Sequence, residues 1–198
     1  MERIYKTAFG DASGSSSLGG SHQMPVPFVR YNQFVADSQR IARGVVVTQS
    51  GWDTVLETNT QAFITEFMQR PAFGAAFPTS TTPAQYVDKM NANAANPLSQ
   101  SERDQLVADL TNHVKSPAQA LRAVAEHVNL VNSEFNRSFV LAEYFGYLRR
   151  NPNDPQDTDY TGDDFWLTKL NQFNGNYINA QMTNAFISST EYRHRFGP

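Results

Sequence analysis

Residues 139–196 read FVLAEYFGYLRRNPNDPQDTDYTGDDFWLTKLNQFNGNYINAQMTNAFISSTEYRHRF, and the reading of this stretch decides the fold. Leu141, Tyr144, Phe145 and Leu148 recur at i, i+3, i+4 and i+7, the spacing that gathers apolar side chains on one face of a helix. The run ends at Arg149 and Arg150 and passes into a loop of Asn, Asp and Pro. Phe165, Trp166 and Leu170 then follow Gly162, and Met182, Ala185, Phe186 and Ser189 follow Gly175, again at helical intervals. The pattern is an aromatic helix, a polar turn and two more amphipathic helices.

Upstream segments repeat this character. Leu121, Val124, Ala125 and Val128 form a helical stripe opened by Ser116-Pro117. Ser99 and Glu102 have the capping-box spacing ahead of Leu106, Val107, Leu110 and Val114. Thr82-Pro83 opens a helix whose apolar face is Tyr86, Val87 and Met90. Trp52 to Met68 reads as one or two helices ending near Pro71, with Phe73 and Phe77 in the loop beyond. Tyr31, Phe34, Val35 and Ile41 make an earlier helix closed by Gly44. Val45 to Val47 is the only β-like run, too short for more than an extended link. Residues 10–25, GDASGSSSLGGSHQMP, read as a flexible linker. Before them Ile4, Tyr5, Ala8 and Phe9 look like the tail of a helix that begins further upstream. The expected fold class is all-α.

The chain also parallels itself. Phe63–Arg70 resembles the segment beginning at Phe139, Gln85–Asn91 resembles Phe165–Asn171, and Leu121–Glu126 resembles Phe186–Glu191. The order is the same in both halves, and the first carries an extra helix over about 99–114. The expected organisation is therefore tandem, internally duplicated small helical domains: a helix tail and linker at 1–25, a first copy at 26–131 and a second at 132–198.

Composition narrows the function classes. The hydrophobic share of 40% and aromatic share of 12% suffice for a packed core. A net charge of -3 lacks the basic footprint of a nucleic-acid binder. With no cysteine, disulfides, zinc–thiolate sites and cysteine nucleophiles are excluded, and the compartment stays open. No apolar run approaches the roughly 20 residues of a membrane-spanning helix. The opening MERIYKTAFGD carries no hydrophobic signal region.

Over residues 135–197 the chain resembles the bacterial family described as domain of unknown function 4214. That family's pattern is an apolar-aromatic helix, Leu-Gly-Arg-x-Pro-Asp, a step to Gly, an aromatic pair, and a closing Phe-x-x-Ser-x-Glu-Phe/Tyr. Leu148, Arg150, Pro152, Asp159, Gly162, Phe165 and Trp166 sit on it, as do Phe186, Ser189, Glu191 and Tyr192. Arg149 departs from the usual Gly, and extra residues separate Pro152 from Asp159. The likeness is weaker over 52–131. The resemblance implies a helical domain related in fold to phycobilisome linkers, at the end of a longer exported or cell-surface protein. It implies assembly or attachment through a protein or cell-surface glycan, and identifies no reaction.

The richest local chemistry is the acidic loop. Asp157, Asp159, Thr161 and Gly162 follow the first half of a D-x-D-x-T-G calcium loop, so Asp157, Asp159, Thr161 and Asp163 are the candidate metal ligands. The closing glutamate is missing, its place taken by Thr168. The competing reading is a capped turn, with Gly162 at positive φ and Asp163 and Asp164 favouring a helix start. Arg149 and Arg150 are expected to pair with this loop. Glu191 and Glu126 read as helix-end residues, Glu191 beside Arg193. Trp52 and Trp166 read as core rather than sugar platforms. His22, His113, His127 and His194 share no metal-ligand spacing, and no nucleophile elbow or phosphate loop occurs. The expected function is non-catalytic, with no cofactor beyond a possible calcium ion. Glycan binding is the alternative.

Overall fold

A computed structural model of the chain describes residues 1–197. Eleven helices account for nearly all regular structure among them: α1 (Glu2–Phe9), α2 (Tyr31–Ile41), α3 (Trp52–Met68), α4 (Pro71–Ala76), α5 (Pro83–Asn93), α6 (Gln100–Thr111), α7 (Pro117–Ala125), α8 (Val128–Glu143), α9 (Thr161–Gln172), α10 (Met182–Ser188) and α11 (Thr190–Phe196). The all-α class therefore holds. The only strands described are a two-residue pair, β1 (Asp11–Ala12) and β2 (Val26–Pro27). They lie outside Val45–Val47, a connector after Gly44 in which Val46 and Val47 are exposed.

Local chemistry explains the helix starts. Thr82, Ser99 and Ser116 each close a full capping box, with Gln85, Glu102 and Gln119 returning the hydrogen bond. Each such cap is worth about 1 kcal/mol. Several boundaries differ from the sequence reading: Val128, counted in the stripe from Leu121, lies beyond α7, opens α8 and is 61% exposed. Pro71 sits at the first position of α4 and restarts a helix, so Phe73 is a buried helical residue and not part of a loop. At a further boundary α6 stops at Thr111, and His113 turns left-handed with φ 57°. This leaves Val114, counted in the helical stripe, 69% exposed.

The chain divides into two compact units, one of 1–11 with 32–131 and one of 12–31 with 132–198. In the first, Phe67 is fully buried, with the rings of Tyr5, Phe9, Phe63 and Phe73 at 5.0–5.8 Å. Val87, Met90, Leu121 and Val124 complete its interior. Asn93 fastens the end of α1 by donating to the Thr7 and Ala8 carbonyls. Arg70, just past α3, donates to both Asp37 and Glu66, and Tyr5 donates to Asp37 at 2.8 Å. The hydrogen bonds to Asp37 raise the Arg70 pKa, fixing its charge.

The second unit packs Val140, Leu141, Tyr144, Leu170, Met182 and Phe186 with Val26 and Val29. The stripe Leu141, Tyr144, Phe145, Leu148 is buried as expected, but from Tyr144 to Leu148 the backbone widens into a π-helix. Arg149 ends it in the left-handed region, φ 51° and ψ 42°. That conformation is the one glycine adopts at least cost.

The Gly/Ser stretch read as a linker is a folded part of the second unit. Gly20 pairs with Asp159 in an antiparallel bridge, and Arg30 donates to Tyr160 and to the Leu18 carbonyl. A Cβ on Gly14 would strike the His22 and Met24 carbonyls, and one on Gly19 the Gly14 carbonyl. Glycine here permits close backbone contact rather than freedom of movement.

The paralleled segments lie on comparable helices but end differently. Glu126 caps the continuous α7 and pairs with Arg122 at the surface. Glu191 follows an extended Ser189 that interrupts α10 and α11.

Candidate functional site

The acidic loop is organised by Arg150, whose side chain is only 8% exposed. The left-handed turn at Arg149 directs the chain so that the guanidinium meets the loop that follows. Its Nη1 donates to the carbonyls of Asn151, Pro152 and Asp154. Its Nη2 donates to Asp157 at 2.7 Å, and Nε and Nη2 grip both oxygens of Glu191 at 2.8 and 3.0 Å. Burial works against this charge, yet the bonds to Glu191 and Asp157 outweigh it and raise the pKa. The expected pairing of Arg150 with the loop is present, and Glu191 is an additional partner that sequence reasoning missed. Glu191 also meets Arg195 at 3.3 Å rather than Arg193, because residues four apart share a helix face and residues two apart do not.

The four candidate calcium ligands are used separately. Asp157 is committed to Arg150. Asp159 accepts the Thr161 backbone N–H at 2.8 Å, an Asx turn that lowers its pKa. Thr161 begins α9 and is exposed. Asp163 is buried, and its Oδ1 has no hydrogen-bond partner. Burial pushes its pKa up to about 7, against the pull of Arg137. No group of three or more His, Asp or Glu side chains among the described residues is arranged to hold a metal ion. Gly162 is helical, not at positive φ. Its constraint is space, since a Cβ there would stand 2.7 Å from the Tyr144 hydroxyl.

Arg149 lies over the Phe196 ring at 4.6 Å instead of joining the acidic loop. Trp52 and Trp166 are both half-buried. Trp166 packs on Phe186 at 5.6 Å, and the Lys169 ammonium lies 5.1 Å from the centre of its ring. His22 stands 3.1 Å from Asp164 and His127 3.1 Å from Glu102.

Two apolar surface features were not legible in the sequence. The first unit holds an open groove of about 820 Å³ floored by Met68, Phe73, Phe77, Tyr86 and Leu110. Phe73 and Phe77 stack at 4.8 Å, and Tyr86 meets Phe77 edge-on at 4.9 Å. The Tyr86 hydroxyl donates to the Pro117 carbonyl, so the floor's polar atom is satisfied. His113 and Lys115 stand on the rim. The only sequence signal was the pair of phenylalanines left over between two helices.

The second unit exposes aromatic surface. Phe135 and Phe139 lie one turn apart on α8, and Tyr177 packs on Phe139 with ring centres 5.2 Å apart. Phe135 is 56% exposed and Ile178, beside Tyr177, is 64% exposed. Elsewhere on this unit Phe165, 58% exposed, lines a shallow cleft with Asp164, Thr168, Lys169 and Gln172.

No family model, curated protein or solved structure matches the chain. No helix among the described residues is long and apolar enough to cross a membrane.

Proposed function

We propose that the chain is a non-catalytic helical module that acts in assembly or attachment within a longer exported or cell-surface bacterial protein. The observation that carries this reading is the exposed apolar face of the second unit. Phe135, Tyr177 and Ile178 lie open to solvent around Phe139, and contiguous apolar exposure of this kind marks interaction surfaces. The charged residues with the densest partnerships, Arg70 and Arg150, are engaged in holding helix ends and a loop together, which is structural work. The resemblance of 135–197 to domain of unknown function 4214 supports the same reading and the bacterial surface location.

The test uses the intact chain immobilised against cell-envelope fractions separated into protein and polysaccharide. Saturable retention by the protein fraction that drops at least tenfold in Ile178→Lys supports attachment through this face. Release of product from a panel of polysaccharides and glycosides, lost on heat denaturation, refutes the non-catalytic reading.

A second reading is favoured by the cleft at Phe165. An exposed ring flanked by Asp164, Thr168, Lys169 and Gln172 offers a stacking surface beside hydrogen-bonding groups, the combination that suits a sugar. A glycan array with and without calcium separates the cases. Binding lost in Phe165→Ala selects the glycan reading, and a blank array under both conditions removes it.

A further inference from the structure

We propose that the groove of the first unit is a binding site for a small amphiphile with a single anionic head, of the class of medium-chain carboxylates. Its volume of about 820 Å³ falls within the usual range of small-molecule pockets, about 300–1,000 Å³. The floor is a fixed aromatic wall, because Phe73, Phe77 and Tyr86 lock one another in stacked and edge-on contacts. With the Tyr86 hydroxyl already donating to the Pro117 carbonyl, nothing in the floor calls for a polar group on the ligand body. A hydrocarbon chain fits that chemistry.

Charge selects the head group. The chain holds 19 carboxylate side chains, yet none lines this groove. Its ionisable lining residues are His113, Lys115 and Tyr86. A neighbouring groove on the same unit is lined by Glu102 and Asp109, so the lack of acid is a property of this site rather than of the unit. The left-handed turn at His113, φ 57°, ends α6 early and carries His113, Val114 and Lys115 onto one rim. Val114, 69% exposed between His113 and Lys115, extends the apolar surface to the point where the head group would sit. Lys115 lines both grooves; Asp109, in the neighbouring one, takes one of its ammonium protons and leaves the others for a ligand carboxylate. This inference stands apart from the attachment reading, which concerns the second unit.

The experiment titrates the intact chain with decanoate, kept below its micelle threshold, by isothermal calorimetry. Methyl decanoate, with the same acyl body and no charge, is the control. Decanoate is expected to bind at one site, about tenfold more tightly than the ester, the factor set by one charge-assisted hydrogen bond. Lys115→Met removes that advantage, and Asp109→Asn, which releases Lys115, increases it. Gly74→Leu fills the groove and abolishes binding of both compounds. Gly74 lies in the lining, and no atom stands within 4 Å of a Cβ built there, so a side chain at this position starts in open space. Independently of any variant, nuclear Overhauser contacts from the decanoate methylenes to the Phe73, Phe77 and Tyr86 rings place the ligand. Absence of saturable binding, equal affinity for acid and ester, or contacts confined to other residues overturns the proposal.

Discussion

Replacing Arg150 by alanine should destabilise the second unit selectively. The side chain makes two bonds to Glu191, one to Asp157 and three to backbone carbonyls. Glu191 is 10% exposed, so its loss of Arg150 leaves a carboxylate that water reaches poorly. Asp157 is 40% exposed and rehydrates at little cost. Breaking a buried pair from one side costs about 3–5 kcal/mol, and Arg195 remains to soften the penalty on Glu191. The expected loss is thus about 3 kcal/mol. The assay is urea unfolding followed by tryptophan fluorescence in a Trp52→Phe background, which leaves Trp166 as the reporter of the second unit. With a slope of about 1.5 kcal/mol per molar urea, the midpoint falls by roughly 2 M. Arg150→Lys keeps the charge but not the two-pronged grip and should lose about half as much. A loss below about 1 kcal/mol for the alanine variant would refute the view that this guanidinium organises the loop.

Three further outcomes follow from the same unit. Asp163 titrates near 7 when folded but near about 3.9 when unfolded, so the native state holds a proton that the unfolded chain has released. Its contribution to stability therefore falls as pH rises from about 4 to about 7, by an amount on the order of 4 kcal/mol, and Asp163→Asn gains on the parent protein over that window; a pH-independent difference in unfolding free energy contradicts this. Arg149→Gly relieves a left-handed backbone at the cost of the Phe196 stack, whereas Arg149→Ala loses the stack with no relief, so urea midpoints should rank glycine above alanine by about 1 kcal/mol. Gly162→Ala drives a methyl onto the Tyr144 hydroxyl and should cost about 1–3 kcal/mol, most of it recovered when Tyr144→Phe is added.

Much of the fold was legible because its signals are local. Thr82, Ser99 and Ser116 each announce a helix within four residues, and the stripe from Leu141 to Leu148 is buried as its spacing demands. The misreadings arise where a local signal has a non-local cause. Gly14, Gly19 and Gly20 read as a linker because composition does not reveal that backbone packs against their missing side chains. The partnership of Arg150 with Glu191 spans 41 residues, so spacing pointed to Arg193 instead. The burial of Asp163, set in a run of acids, is likewise a property of the folded chain that spacing does not carry. The groove at Phe73 and Phe77 was hidden for a related reason, since five separate helices supply its floor and rim.

The second unit is discontinuous, and this constrains the order in which the molecule is made. Residues 12–31 leave the ribosome early, but their partners come much later: Leu18 waits 135 positions for Asn153, Arg30 waits 130 for Tyr160, and Tyr31 waits 120 for Asn151. At about 5–20 residues per second, the glycine-rich segment stays unsatisfied for several seconds while the first unit is synthesised around it. The wealth of serine and the scarcity of large apolar side chains in that segment suit a strand of chain that must remain soluble while it waits. A fragment beginning at residue 132 never receives this piece, so the C-terminal half expressed alone lacks the residues that close its own interior.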